Sequence, residues 1–200
     1  MAQQGRAAAT RKRLVEAAGE VFDEAGYAGA STTEILARAG VTRGALHYHF
    51  PSKEALAEAV LAGQGEALVP PFHEIRLQSV IDLTHEYATR LQTNPVLRGA
   101  VRLATEPGAH RTAEPYDGPQ SAVGAALAEA RAAGELLAGV RVERATRLIV
   151  GAYTGIQLVS QILTLRADLP EQVTVMWQYL LPGLAVPELL PRLRMSPPLD

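Results

Sequence analysis

The sequence predicts an all-α protein: an N-terminal three-helix unit built on a helix-turn-helix, followed by a larger C-terminal helical domain. Three observations carry this. Apolar residues recur at three- and four-residue spacing through most of the chain, with no clear strand alternation. Ser31–Phe50, STTEILARAGVTRGALHYHF, reads as two short helices around a sharp glycine turn. Two helices this short cannot bury their own apolar faces, and both flanks supply further amphipathic helices.

The first of these runs from about Thr10 to Ala25, with Leu14, Val15, Ala18, Val21, Phe22 and Ala25 on one face. Gly26 is its stop signal, and Tyr27 is placed to pack under the returning chain. Ser31 and Glu34 fit a capping box at the start of the second helix. Gly40 supplies the left-handed residue that ends it, and Thr42 caps the third. Pro51 stops the third helix, and Ser52 caps a fourth over 52–66, with Leu56, Ala59, Val60 and Ala67 inward. Later helices are predicted at 77–93, 95–104, 121–133, 142–166 and 170–181. Residues 105–119, with three prolines and two glycines, read as a loop. This gives a domain over 1–51, with its motif at 31–50, and a second over 52–200, with 52–66 as the linking helix.

Composition excludes several classes. The 200 residues are 48% hydrophobic and 20% charged, with net charge −2 and no cysteine, so disulfides and thiolate metal sites are ruled out. No run of eighteen apolar residues and no leader are present, which points to a cytoplasmic protein without a membrane span. Catalytic motifs are missing as well: there is no GxSxG, no Walker or dinucleotide glycine loop, and no cysteine nucleophile. Glu106, Glu114 and Asp117 fall in the expected loop, where no fixed geometry supports catalysis. His47 and His49, two apart on a helix, point about 200° away from each other and cannot clamp one metal ion. His73, His85 and His110 stand singly. Neither enzyme activity, a cofactor nor a metal is expected.

In a helix-turn-helix, the first residues of the second helix face base edges in the major groove. Arg43 offers a bidentate fork to guanine, Gly44 lets the backbone come close, and Ala45 can meet a thymine methyl. His47, Tyr48 and His49 follow with aromatic bodies and polar tips. Ser31, Thr33, Thr42, His49 and Lys53 suit phosphate, which fixes position without reading sequence. Residues 1–60 balance seven basic against seven acidic side chains, yet Arg6, Arg11, Lys12 and Arg13 form a basic arm with no acid before Glu16. Such an arm, Arg11 included, can neutralise phosphates.

The stretch STTEILARAGVTRGALHYHFPSKEAL resembles the DNA-binding signature of the TetR family of bacterial regulators. NPVLRGAVRLAT (94–105), GAYTGIQ (151–157) and MWQYL (176–180) resemble a narrower group within it, the γ-butyrolactone autoregulator receptors. The resemblance implies a homodimer on double-stranded DNA with a pseudo-palindromic operator, the helices at 142–166 and 170–181 packing against their symmetry mates. It also implies a repressor released by a small hydrophobic signal of lactone, butenolide or furan type, regulating antibiotic or other secondary metabolism.

Polar ligand contacts in that group fall at positions similar to Gln64 and Thr154. Val96, Leu97, Ala100, Leu103, Val150, Tyr153 and Leu158 are candidate pocket walls, a role that core packing explains equally well. Two departures stand out: His47 replaces a bulky aromatic, and a residue near Pro119 replaces a pocket tryptophan. The one tryptophan, Trp177, belongs to the dimer seam or the core. The alternatives are a pseudo-receptor that answers to an antibiotic or to no lactone, and a helical small-molecule binder without DNA binding.

Overall fold

The computed structural model describes residues 2–64, 68–106 and 114–198. In these residues the chain forms α1 (Ala2–Gly29), α2 (Thr32–Ala39), α3 (Arg43–His49), α4 (Lys53–Ala62), α5 (Arg76–Thr93), α6 (Pro95–Thr105), α7 (Glu114–Ala132), α8 (Val142–Thr164) and α9 (Leu169–Leu180), with short 3-10 turns after α9. One compact unit takes residues 1–67 and 93–115, and a second takes 68–92 and 116–200. Packing thus groups α4 and α6 with the helix-turn-helix, where the sequence suggested a division after Pro51.

Two segments differ from expectation. The basic arm is helical from Ala2, continuous with α1. Of the loop expected over 105–119, residues 107–113 lie outside the described ones, as do His110 and Ala67. Residues 114–119, however, are the start of α7, with Pro119 inside it. Proline's fixed φ is compatible with helix, so Pro119 forfeits a backbone hydrogen bond and crowds the carbonyl four residues back without ending the helix.

In the first unit α1 packs on α2, α3, α4 and α6. Leu14, Ala18, Val21 and Phe22 share a core with Ile35, Leu46, Phe50, Leu56 and Val60. The α1–α6 crossing is a glycine contact. A Cβ added at Gly99 would stand 2.7 Å from Gly19 Cα, and one at Gly19 would stand 2.7 Å from Val96 Cα. The two backbones therefore approach more closely than any side chain would allow.

The chain bends at Gly26, whose φ of 67° is left-handed. There the Glu106 carboxylate, at the end of α6, accepts the Tyr27 N–H at 2.7 Å, so Glu106 has a fixed structural partner. The Tyr27 ring stacks on Phe22, and its hydroxyl donates to Glu54 Oε1 at 2.7 Å. Lys53 Nζ sits 4.6 Å over the same ring and donates to the Ala30 carbonyl at 2.6 Å. Tyr27 thereby ties the start of α4 and the end of α6 to the bend. Burial, reinforced by the Glu54 carboxylate, pushes the Tyr27 phenol up to about 12. The hydrogen bond from Tyr27 holds the Glu54 carboxyl down at about 2.

In the second unit α5 is buried on nearly every side. The Glu135 carboxylate caps its start from 58 residues away, accepting the Arg76 N–H at 2.8 Å and the Leu77 N–H at 2.7 Å. Buried Asp82 takes both oxygens to Arg194, at 2.8 and 2.7 Å, and His73 Nε2 lies 2.9 Å from the same carboxylate. Gln78 exchanges two hydrogen bonds with the Arg194 backbone, and His85 Nε2 meets the Met195 carbonyl oxygen at 2.7 Å. The C-terminal segment is thus laced onto α5. Trp177 is fully buried, with its indole N–H on Thr84 Oγ1 at 2.8 Å, so it belongs to the core.

Gly99→Ala is expected to destabilise the first unit by about 1–3 kcal/mol, the range for overpacking a tight contact, read by urea unfolding. Glu54 titrates near 2 when folded and near 4.5 otherwise, so its stabilising contribution is present above pH 4.5 and is lost as pH falls towards 2. Tyr27→Phe should reduce that acid-range slope by removing its largest cause, visible as a smaller loss of stability between pH 5 and 3 than in the parent chain.

Candidate nucleic-acid interface

Every part of the α2–turn–α3 corner has a local cause. Ser31 Oγ accepts the Thr33 N–H at 3.2 Å and starts α2. The expected capping box does not close, because the Glu34 carboxylate is drawn to Arg38 at 2.7 Å. Arg38 also grips Glu24 of α1, and a charge-assisted pair outcompetes a neutral N–H. At the far end Gly40 has φ 60° and ψ 42°. Its N–H reaches the Ala37 carbonyl at 3.3 Å and the Val41 N–H reaches the Leu36 carbonyl at 3.3 Å, a Schellman closure. Thr42 Oγ1 then accepts the Ala45 N–H at 3.3 Å, opening α3.

α3 has seven residues and buries only Leu46. Arg43, Gly44, His47 and Tyr48 are exposed, Tyr48 to 79%. Arg43 has no hydrogen-bond or ion-pair partner among the described residues. A Cβ on Gly44 would meet nothing closer than Thr42 Oγ1 at 3.9 Å, so packing within the chain does not demand glycine there. Ala45 is half-buried, and so is His49, whose ring meets Tyr48 edge-on at 4.9 Å.

The phosphate candidates are more varied. Thr33 is exposed, whereas the Ser31 and Thr42 hydroxyls already serve as caps. The Arg11 guanidinium lies 5.2 Å over the Phe50 ring, bracing the end of α3. Lys53 has the Ala30 carbonyl and the Tyr27 ring as partners. Arg13, read as part of the arm, donates from Nη2 to the Ala39 carbonyl oxygen and to that of Gly40 at 3.1 Å.

The candidate ligand residues divide between the units. In the first, Gln64 and Leu97 are buried, Ala100 and Leu103 join the core with α1, and Val96 packs against it. In the second, Val150 is buried, Leu158 is 36% exposed, and the Thr154 hydroxyl donates back to the Val150 carbonyl at 2.8 Å. More informative are the Tyr153 hydroxyl and both amide atoms of Gln157, which are buried without a hydrogen-bond partner. Burial pushes the Tyr153 phenol well above its ordinary range, so it remains a donor. Its ring meets Tyr87 edge-on at 5.7 Å. Gln157 escaped the sequence reading, because a glutamine on a helix is ordinarily solvated; only its 2% exposure marks it. No group of three or more potential metal ligands occurs among the described residues, and no described helix is long and apolar enough to cross a membrane.

Known proteins share this arrangement over nearly the whole chain. Residues 1–60 match the family described as bacterial regulatory proteins, tetR family, and residues 75–187 match the tetracyclin repressor-like C-terminal domain. The A-factor receptor protein of Streptomyces griseus is 37% identical over 194 residues, which is 97% of this chain and 70% of that protein. The crystal structure of TylP, a TetR regulator from Streptomyces fradiae, superposes with a TM-score of 0.86 at 44% identity, covering 96% of this chain and 93% of that one. CprB of Streptomyces coelicolor, solved in complex with its operator sequence, gives a TM-score of 0.77 at 29% identity, covering 92% and 93%. The protein belongs to the TetR family of DNA-binding transcriptional regulators, and is not an enzyme.

Proposed function

We propose that the chain is a homodimeric repressor that binds a pseudo-palindromic operator and is released by a small signalling molecule of the γ-butyrolactone, butenolide or furan class. The observation that carries the reading is the outer face of α3, where Arg43, Gly44, His47 and Tyr48 are exposed and Arg43 has no intramolecular partner among the described residues. The relatives support the rest: one is an A-factor receptor, and a γ-butyrolactone receptor of known structure is 29% identical. Regulation of antibiotic or other secondary metabolism, a cytoplasmic location and association with the nucleoid when on DNA follow from this reading.

Two further features agree with it. Ile162, Leu163, Leu165 and Tyr179 of the α8–α9 region are each more than 70% exposed, and a Cβ on Gly151 or Gly155 would meet open space. A symmetry mate would cover this face, and a two-fold dimer reads two related half-sites. The buried Tyr153 hydroxyl and Gln157 amide, four residues apart on α8, are the polar anchors for the signal, with Thr154 secondary. Together they ask for a carbonyl acceptor beside a hydroxyl, since buried polar groups without partners are costly. One observation favours the pseudo-receptor as a second reading: Trp177 is locked in the core on Thr84, so no tryptophan replaces the one missing near Pro119.

Anisotropy with duplex from upstream of the gene tests both halves. Arg43→Ala should cost about 1–3 kcal/mol of discrimination between operator and scrambled duplex, with helicity and dimerisation unchanged. Tyr153→Phe or Gln157→Leu should retain operator affinity but need at least tenfold more γ-butyrolactone for release. Operator binding that no lactone, butenolide or furan disturbs would select the pseudo-receptor, and no binding to any duplex would leave the helical small-molecule binder.

A further inference from the structure

Arg13 stands in the arm that the sequence marks as phosphate-binding, yet its side chain points elsewhere. The α2 C-terminus leaves carbonyls that the Schellman closure does not reach. Leu36 and Ala37 oxygens are taken by Val41 and Gly40, while those of Ala39 and Gly40 accept from Arg13 Nη2. These two carbonyls flank the left-handed Gly40, the residue that sets the direction in which the chain leaves α2 for Thr42 and α3. The contact is close enough that a Cβ on Gly40 would lie 2.9 Å from Arg13 Nη2. A cation also suits this place, since the last turn of a helix carries negative partial charge.

α3 has little else to fix it. It buries one side chain, Leu46, and its end is braced by Phe50 under Arg11. We infer that Arg13 is a positioning residue for operator recognition, clamping the α2–α3 turn from α1 so that Arg43 meets its base edge, and is not a phosphate contact.

The two roles separate by salt dependence. A phosphate contact contributes a slope of about −0.9 in log K against log[salt] and acts on any duplex. A turn clamp acts only where α3 must fit a particular sequence, and leaves the slope alone. The probes are a duplex selected from a random pool by the parent protein and a scrambled duplex of equal length, titrated between 50 and 300 mM salt without ligand. Arg13→Gln is expected to lose tenfold or more on the selected duplex and almost nothing on the scrambled one, with parent slopes. Arg13→Lys keeps the charge on a shorter side chain that cannot carry its nitrogen as far as Nη2, so a clamp on the Ala39 and Gly40 carbonyls is only partly rescued by it while a phosphate contact is largely retained. Thermal melting confirms that each variant is folded, and if Arg13→Gln is not, Arg13→Lys decides by the same two readouts. Equal losses on both duplexes with a shallower slope, or undiminished operator affinity in either folded variant, would overturn the inference. Neither result depends on what releases the protein from DNA.

Discussion

A seven-residue helix cannot hold its own orientation, and α3 is such a helix. It closes less than two turns and buries Leu46 alone, well below the length at which an isolated helix is stable in water. Its placement is therefore borrowed. Thr42 caps its start, Arg11 covers Phe50 just past its end, and Arg13 fixes the turn that leads into it. α1 supplies two of those three contacts, and is itself held by α4 and by the glycine crossing with α6. Base recognition tolerates little angular error, so the first unit is organised to present a few exposed side chains from a rigid bed.

Charge in this unit is mostly structural. Arg38 binds Glu24 and Glu34, Lys53 closes on the Ala30 carbonyl, and Arg98 pairs with Asp23 at 2.8 Å. That fits the overall neutrality of residues 1–60: acids and bases hold helices together, and Arg43 is left exposed with no partner among the described residues. The second unit uses its buried charges the same way. Glu135 caps α5 and Asp82 anchors the C-terminal segment through Arg194. Other buried side-chain atoms here also lack a partner, Ser79 Oγ and His85 Nδ1 among them, but Tyr153 and Gln157 put an unpartnered phenol and both atoms of an amide on one helix face.

Helical periodicity, glycine and proline punctuation, and the caps at Ser31, Thr42 and Ser52 made the helices legible in the sequence, since each of those signals acts within a few residues. The 31–50 motif was legible for the same reason, and with it the exposed face of α3. The 105–119 segment differs from expectation where α7 begins, because the prolines and glycines that signal a loop in sequence also fit the first turns of a helix there. The capping box failed in a similar way: Glu34 is correctly spaced from Ser31, but Arg38 and Glu24 offer it a stronger network.

Local chemistry alone thus determined the all-α class, the helix-turn-helix and the residues on the exposed face of its second helix. Tertiary structure decided what distant side chains do there. It turned Arg13 and Lys53 from the solvent face to backbone carbonyls, moved α6 into the first unit through Gly19 and Gly99, and sealed Trp177 in the core of the second. The physical reason is range: caps and periodicity depend on neighbours along the chain, whereas burial and the partner of a charge depend here on residues 23 to 112 positions away.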